Sequence, residues 1–272
     1  MYRLATVFGL TSAQPTPQGL SGAPMIRVEG GSLEIGATKE QEDCAEKNEY
    51  PAHTITLPPF YIAQFPVTQN IWELVMGYNK SYFKSKEEKL SSSQKTIPHG
   101  VWSTMGVLLG MFANNLDSDK GHFPIENVTL DEAKEFVRRL SKMTNIHFSL
   151  PSEEEWEYAA RGGQKSKHYR FAGSDNIEDI AWYRDNANQS THPVGEKLPN
   201  ELGIFDMCGN VWEWTETTAH SYAIDVKPEG NCYIRRGGSW WHEEKNCRVS
   251  RRYASDHSKK TSGLGLRLVI RI

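Results

Sequence analysis

Cysteine and histidine are the residue types in this sequence of 272 residues that could carry redox, metal or acid–base chemistry. The cysteines are Cys44, Cys208, Cys232 and Cys247. They lie far apart, so the CxxC pair of a zinc ribbon or a thioredoxin-type motif is absent. Several disulfide pairings are possible, and so are free thiols, because a chain of this length can bury a core without disulfide bridges. The pattern therefore predicts no cysteine-based centre.

Two histidines near the C-terminus, His242 and His257, could act as a general acid and a general base. Hydrolysis by a covalent route also needs a nucleophile with a base positioned beside it. Nothing near either histidine in the sequence supplies that pair, so a hydrolytic site is not predicted.

The elements that must position these residues are short. Residues 25–35 alternate between apolar and polar side chains around Gly30 and Gly31, and His53–Leu57 alternates in the same way, which is typical of strands. Thr68 stands where an N-cap would begin a helix.

Capping boxes indicate two further helices, since a Ser or Thr and a Glu three residues later can satisfy each other's backbone N–H groups. The pairs are Thr129 with Glu132 and Ser152 with Glu155. Helices and many short strands in one chain predict an α+β fold.

A tight turn at Gly209 and Asn210 precedes Trp212, Glu213 and Trp214. Alternate side chains of a strand point to opposite faces. We therefore expect both tryptophans in the core and Glu213 on the other side of the sheet.

The overall charge excludes two classes of protein. Lys and Arg number 31 and Asp and Glu 34, so the net charge is −3, whereas a nucleic-acid specialist is usually strongly basic. No apolar run approaches the roughly 20 residues of a membrane-spanning helix. Neither a nucleic-acid partner nor a transmembrane segment is predicted.

The charge is unevenly distributed along the chain. Residues 235–272 hold ten Lys or Arg and three Asp or Glu, a balance of +7, which leaves −10 for the rest. A basic cap on an acidic body could steer anionic ligands. We expect instead that four arginines of this segment pair with carboxylates of the body, which leaves Lys259 and Lys260 as exposed charges. These arginines are Arg236, Arg248, Arg251 and Arg267.

Eight segments in order carry a family resemblance. They are FYIAQFPVT (60–68), FPIENV (123–128), LPSEEEWEYAARG (150–162), PVG (193–195), PNELG (199–203), DMCGNVWEW (206–214), RGGSW (236–240) and GLRL (265–268). Together they resemble the formylglycine-generating-enzyme (sulfatase-modifying factor) domain family. The resemblance implies one α+β domain over residues 25–272, with a C-type lectin-like fold of the formylglycine-generating-enzyme type that is low in regular secondary structure.

The resemblance leaves two regions outside the conserved body of that domain. Residues 1–24 form an N-terminal arm or linker, and a polar surface insertion lies at about 77–121. Residues 1–14 resemble a degenerate secretion signal with a short apolar core, and an ordered arm is the alternative.

The family's calcium loop matches Asp206 to Glu213. The resemblance implies side-chain oxygens from Asp206 and Glu213 and backbone carbonyls from Gly209 and Val211, and oxygen ligands in a flexible loop suit Ca²⁺. In the alternative, Asp206 caps the turn and Glu213 pairs with an arginine.

The family's oxidase needs two cysteines that bind copper(I), a soft ion that prefers thiolates. Matching the GGS segment to the family pattern sets His242 at the first position and Cys247 at the second. One thiolate is then missing, so no copper and no oxidase activity are expected. The alternative is a formylglycine-generating or related metal-dependent oxidase that uses Cys247 and His242.

The last segment is similar to the variable region of diversity-generating-retroelement proteins, closest to the treponeme-type variable proteins. Blocks resembling GGSW, CRVS and GLRLV frame residues of mixed chemistry in a variable binding segment at 240–265. Loops held by a fixed frame can change side chains without refolding. The predicted ligand-binding residues are Trp241, His242, Glu243, Glu244, Tyr253, Ser255, Asp256, His257, Lys260 and Leu264.

These features together predict a non-catalytic protein that displays a hypervariable C-terminal binding surface. Trp241 and Tyr253 would act as rigid anchors, and the polar residues would adapt to the ligand. The resemblance implies a macromolecular ligand, a protein or glycan on another cell or host surface, and a location at the cell surface or outside the cell. A structural or adaptor domain without a variable site is a third possibility.

Overall fold

The structure, a computed structural model of the chain, describes residues 24–84, 122–219 and 231–272. Within these ranges the strands are β1 (Met25–Val28), β2 (Gly31–Ile35), β3 (His53–Leu57), β4 (Phe60–Ala63), β5 (Trp212–Thr218), β6 (Cys232–Arg236), β7 (Arg252–Asp256), β8 (Leu264–Leu266) and β9 (Val269–Arg271). The α-helices are α1 (Gln69–Met76), α2 (Leu130–Thr144), α3 (Glu153–Ala160) and α4 (Ile177–Ile180). The predicted N-terminal arm and most of the predicted insertion lie outside the described residues.

The strands form three sheets. Strand β4 is the centre of an antiparallel sheet in the order β1-β4-β9, and β2 pairs with β3. The third sheet has the order β7-β6-β5-β8, with β5 and β8 parallel and the other pairs antiparallel. The last 41 residues of the chain thus supply strands to two sheets, because β6 to β8 join β5 while β9 returns to β4.

Local sequence signals set the helix starts. In α2, the Thr129 hydroxyl accepts from the backbone N–H of Glu132 at 3.2 Å, and the Glu132 carboxylate accepts from that of Thr129 at 2.8 Å. Ser152 and Glu155 do the same for α3, so both predicted capping boxes are confirmed. Helix α1 starts after Thr68 as predicted, but the Thr68 side chain makes no capping hydrogen bond.

The glycine pair that interrupts residues 25–35 separates β1 from β2. A Cβ atom at Gly30 would lie 2.6 Å from the carbonyl oxygen of Leu57. Because only glycine fits this close approach, the chain can turn here and the two strands can join different sheets.

The four-stranded sheet has two chemically different faces. Trp212 and Trp214 of β5 are fully buried on one face, and Glu213 points to the other, as the alternation predicts. In β6 the same alternation separates Arg235 from Arg236. One face is therefore aromatic and the other ionic.

Two hydrophobic cores cover these sheets. The first lies between α1, α2 and the aromatic face of the four-stranded sheet, where Trp72 stacks on Phe136 with ring centroids 5.1 Å apart. The second lies between α3 and the sheet of β1, β4 and β9, and it includes Trp156, Cys208 and Cys247. The four cysteines are free thiols.

Helix α3 meets the ionic face through a buried arginine–glutamate network. Arg236 binds Glu157, and Arg252 binds Glu153 with Nε–Oε1 and Nη2–Oε2 distances of 2.7 and 2.6 Å. Arg236 also lies 3.8 Å from Glu153. Further pairs of the network are Arg161 with Glu157, Arg248 with Glu49, and Arg267 with Glu213.

The charge pairing predicted for the C-terminal segment is confirmed. Arg236, Arg248 and Arg267 bind buried carboxylates, and Arg251 lies 3.9 Å from an oxygen of Glu49. Lys259 and Lys260 are exposed, as expected. Among the described residues, no helix is both long enough and apolar enough to cross a membrane.

Removing one carboxylate from the network tests its contribution to stability. Replacing Glu153 by Gln removes the negative charge that the buried Arg252 binds, so we expect the free energy of unfolding to fall by about 3–5 kcal/mol. Urea denaturation measures it. The control is Glu135→Gln, whose partners Arg138 and Arg139 lie on the exposed surface of α2, and it should change stability little. Equal effects of the two variants would contradict the assignment.

Candidate ligand-binding surface

The loop that the family resemblance assigns to calcium is closed by hydrogen bonds of the protein itself. Asp206 has a positive φ of 56°, and its Oδ2 accepts from the backbone N–H of Gly195 at 2.7 Å. Burial raises the pKa of Asp206 to about 6, although the Gly195 hydrogen bond and the charge of Arg267 oppose the rise. Asp206 thus ties the turn to Gly195 through one oxygen, whereas its Oδ1 atom is buried without a hydrogen-bond partner among the described residues.

Glu213 does not fit a calcium site. Its Oε1 accepts from Arg267 Nη2 at 2.8 Å and its Oε2 from Trp156 Nε1 at 2.6 Å. The guanidinium already supplies the positive charge that this buried carboxylate needs. Nor do His, Cys, Asp and Glu side chains form any group of three or more that could hold a metal ion in the described ranges.

Gly209 and Val211, the two predicted carbonyl ligands, have structural roles. A Cβ atom at Gly209 would lie 2.3 Å from the carbonyl oxygen of Trp182, and Val211 is fully buried. The geometry favours the alternative that the sequence left open, in which Glu213 pairs with an arginine.

Chelation tests this assignment. Because Arg267 and Trp156 satisfy Glu213, we expect excess EDTA to leave the melting temperature unchanged. Asp206→Asn should raise the melting temperature at pH 7, since it removes a buried charge whose pKa is raised and keeps an oxygen for Gly195. A loss of stability in EDTA that added Ca²⁺ reverses, and that Asp206→Asn abolishes, would establish a calcium site instead.

Cys247 and His242 are not arranged as a copper pair. Cys247 is fully buried, and burial raises the pKa of its thiol well above the ordinary value, with Cys208 adding to the rise. Copper(I) binds the thiolate, which this environment disfavours. The Nδ1 atom of His242 accepts from Trp212 Nε1 at 3.2 Å and lies 2.7 Å from the Ser239 hydroxyl.

His242 belongs instead to an aromatic surface. Its ring lies 5.4 Å from that of Trp212 and 4.8 Å from that of Trp241, and Tyr253 lies 6.1 Å from Trp212. Trp241 is 50% exposed and Tyr253 44% exposed. We call Trp212, Trp240, Trp241, His242 and Tyr253 the aromatic surface.

Arg235 lies under this surface and was missed by sequence reasoning. Its guanidinium carbon is 4.5 Å from the ring centroid of Tyr253 and 5.1 Å from that of Trp212. The residue is only 6% exposed. The adjacent arginines Arg235 and Arg236 could have revealed it from the sequence. A strand that directs Arg236 to the ionic face must direct Arg235 to the aromatic face.

The polar residues predicted to bind ligand occupy two places. Glu243, next to the aromatic surface, binds Arg184 at 2.9 Å and Lys245 at 3.1 Å. At the far end of β7, Asp256 accepts from Ser258, and His257 Nδ1 lies 3.0 Å from Asp131. Two further predicted residues are exposed, Glu244 in the 3₁₀ turn Glu244–Asn246 and Lys260 after β7.

Two predicted ligand residues are wrong as surface groups. Leu264 is fully buried because β8 lies beside β5 in the first core, and Ser255 is only 7% exposed. Ser255 pairs across the sheet with Tyr233, which packs against that core near α2. The surface available to a ligand therefore covers only part of the aromatic face of the four-stranded sheet.

The protonation of His242 is a direct test of the surface. Burial, Arg235 and Arg251 lower its pKa to about 4, and the Trp212 hydrogen bond sets the proton on Nε2. Folding stability tied to this group is complete above its ordinary pKa of about 6.5 and is lost as the pH falls toward 4. In ¹H–¹⁵N NMR we expect a neutral His242 imidazole at pH 6. The midpoint of its titration should be higher in Arg235→Met, because that variant lacks one of the positive charges that lower the pKa. A midpoint near 6.5 in the unsubstituted protein would contradict the geometry.

Sequence comparisons match the whole domain. A family model described as "Sulfatase-modifying factor enzyme 1-like domain" matches residues 10–272. The chaperone protein LppX of Paenibacillus barcinonensis is 30% identical over 98% of this chain and 96% of its own length. The formylglycine-generating enzyme of Mus musculus is 26% identical over 97% and 79%, and the inactive C-alpha-formylglycine-generating enzyme 2 of Bos taurus 23% identical over 89% and 86%.

Among solved structures, Treponema denticola variable protein 1 superposes with a TM-score of 0.69 at 25% identity, over 91% of this chain and 95% of that chain. This similarity confirms the predicted α+β, C-type lectin-like fold of the formylglycine-generating-enzyme type. It is consistent with the modest share of regular secondary structure among the described residues.

Proposed function

The chain belongs to the family of sulfatase-modifying factor enzyme 1-like domains, and from this premise we propose that it binds a macromolecular ligand non-covalently through the aromatic surface. The observation that carries the proposal is the exposure of Trp241 and of Tyr253, whose ring lies 4.5 Å from the buried, charged Arg235. The family includes relatives named as active and as inactive enzymes, so membership alone decides no activity.

The composition of the surface is that of a binding site. Large aromatic side chains and arginine carry most of the binding energy in protein interfaces, where they lose little conformational entropy. Tyr253 contacts the fully buried Trp212 directly, and Trp241 contacts His242, which in turn packs on Trp212, so both exposed rings have a rigid base. Such a base lets exposed side chains change while the fold is kept.

The alternative, a metal-dependent oxidase that uses Cys247 and His242, has less support. The Cys247 thiol is sealed in the second core beside Gly238, whose Cβ position would lie 2.6 Å from its sulfur. A client cysteine would have to reach that sulfur through packed backbone.

The comparisons support a protein partner. One structural neighbour is named a variable protein and one sequence relative a chaperone protein. We extend the proposal to a hypervariable segment at 240–265, to a ligand on another cell or host surface, and to a place at the cell surface or outside the cell. Each of these rests on similarity to the variable proteins.

Sequencing of many gene copies tests the variable segment. We expect adenine-position differences from a nearby template copy, concentrated in codons of exposed residues such as Trp241 and Tyr253. Codons of the buried Arg248, Arg252 and Arg267 should be invariant, because their loss leaves buried carboxylates without a partner. Absence of a template copy and of a reverse-transcriptase gene would contradict hypervariability.

The oxidase alternative is tested in parallel with the same chain. The protein is loaded with copper(I) and incubated with a cysteine-containing sulfatase peptide, and mass spectrometry follows conversion of the thiol to an aldehyde. We expect no conversion, with an active formylglycine-generating enzyme as the positive control. Conversion that Cys247→Ala abolishes would overturn the non-catalytic assignment.

A further inference from the structure

Arg235 is an exception among the buried arginines. The others bind carboxylates: Arg161, Arg236, Arg248, Arg252 and Arg267. Arg235 is equally buried, but no carboxylate of the described ranges forms an ion pair with it, and its Nε is buried without a hydrogen-bond partner. A buried charge left in this state costs folding free energy, so its presence calls for a role outside the fold.

The surroundings of Arg235 concentrate positive charge. Its guanidinium lies beside the rings of both Trp212 and Tyr253, and Arg251 approaches the same Tyr253 ring at 5.9 Å. Burial and Arg251 lower the pKa of Arg235 to about 10, although the Tyr253 hydroxyl opposes them, so the group is still charged at neutral pH. The nearby His242 is neutral and offers an Nε2–H donor.

Nearby carboxylates are already engaged. Glu243 is held by Arg184 and Lys245 at the edge of the surface, and Glu49 is held by Arg248 on the ionic face. The site therefore has an excess of positive charge at its centre. Its exposed rim is aromatic.

We propose that Arg235 is the specificity centre of the aromatic surface and that it binds the carboxylate of an Asp or Glu side chain on a protein partner. The proposal rests on the proposed function and names its ligand class. A guanidinium presents a planar fork that matches a carboxylate, and the pair gains strength where water is excluded.

An acidic residue with apolar neighbours fits better than an anionic sugar. Tyr253 offers exposed apolar area beside the charged centre, and Trp241 adds more through its contact with His242. In protein interfaces, Trp, Tyr and Arg in such an arrangement form hot spots around one desolvated contact.

A stability measurement separates a binding role from a structural one. Arg235→Met keeps an apolar side chain against Trp212 and Tyr253 and removes the unpaired charge, so the melting temperature should rise by about 2–4 °C. If Arg235 were needed for the fold, this replacement would lower the melting temperature. The reference is Arg252→Met, which breaks a buried pair and should lower the melting temperature.

The binding test uses two peptides that differ in one group, acetyl-Leu-Glu-Leu-amide and acetyl-Leu-Gln-Leu-amide. They are titrated into the full chain labelled with ¹⁵N at arginine side chains, with the Nε–H signal of Arg235 assigned from its loss in Arg235→Met. We expect a saturable shift of this signal with the Glu peptide and at least tenfold weaker binding of the Gln peptide. Tryptophan fluorescence should show at least tenfold weaker binding to Arg235→Met and unchanged binding to the surface control Arg138→Gln.

The possible outcomes of these experiments test the carboxylate site, the protein partner and the hypervariable display separately. Equal binding of both peptides, or undiminished binding to Arg235→Met, overturns the carboxylate site. Arg235-dependent binding of oligogalacturonate that exceeds binding of the Glu peptide overturns the protein partner in favour of a glycan. The gene-copy sequencing tests the proposed function independently of the peptide titration. Sequence variation without peptide binding would therefore contradict only the carboxylate site at Arg235. Peptide binding without variation removes only the hypervariable display.

Discussion

The buried arginine–glutamate network is the constraint on which the rest of the structure depends. Helix α3 presents Glu153 and Glu157 to the ionic face of the four-stranded sheet, where Arg252 and Arg236 bind them without access to water. Each of these charges would be costly alone, so helix and sheet can pack in only one register. The same pairs tie residues far apart in sequence, since 99 positions separate Glu153 from Arg252. A chain with short strands thereby acquires a single arrangement.

The network also explains why the opposite face can specialise in binding. Strands β6 and β7 bind α3 through ion pairs on the ionic face, and α2 covers part of the aromatic face. Among the described residues, Trp241 and Tyr253 are exposed at the other end of that face. Side chains at that end can be replaced without affecting the pairs beneath them. A rigid base with a replaceable rim is what a recognition surface needs.

Sequence reasoning succeeded where the determining contacts are local. The capping boxes at Thr129 and Ser152 lie within one helical turn, and the alternation around Glu213 lies within one strand. It failed where a face is defined by distant elements. Ser255 and Tyr253 point to the same face of β7, and only the tertiary fold, which buries Ser255 opposite Tyr233 and leaves Tyr253 open, separates them. The aromatic surface was therefore predicted in part, and its charged centre was not.

The adjacent arginines of β6, Arg235 and Arg236, show how one strand serves both the stability of the fold and the binding of a ligand. Arg236 meets Glu157 and contributes to the fold, whereas Arg235, one residue earlier and on the other face, meets aromatic rings and no described carboxylate. Evolution of the fold alone would favour an apolar residue at position 235, because a methylene stem packs on Trp212 as well without a charge to desolvate. In the proposed site, a ligand carboxylate supplies the counter-charge that the two rings do not. Strand β6 is held on the ionic face by the salt bridge between Arg236 and Glu157. On the aromatic face, Arg235 can form a second salt bridge with a carboxylate of a partner.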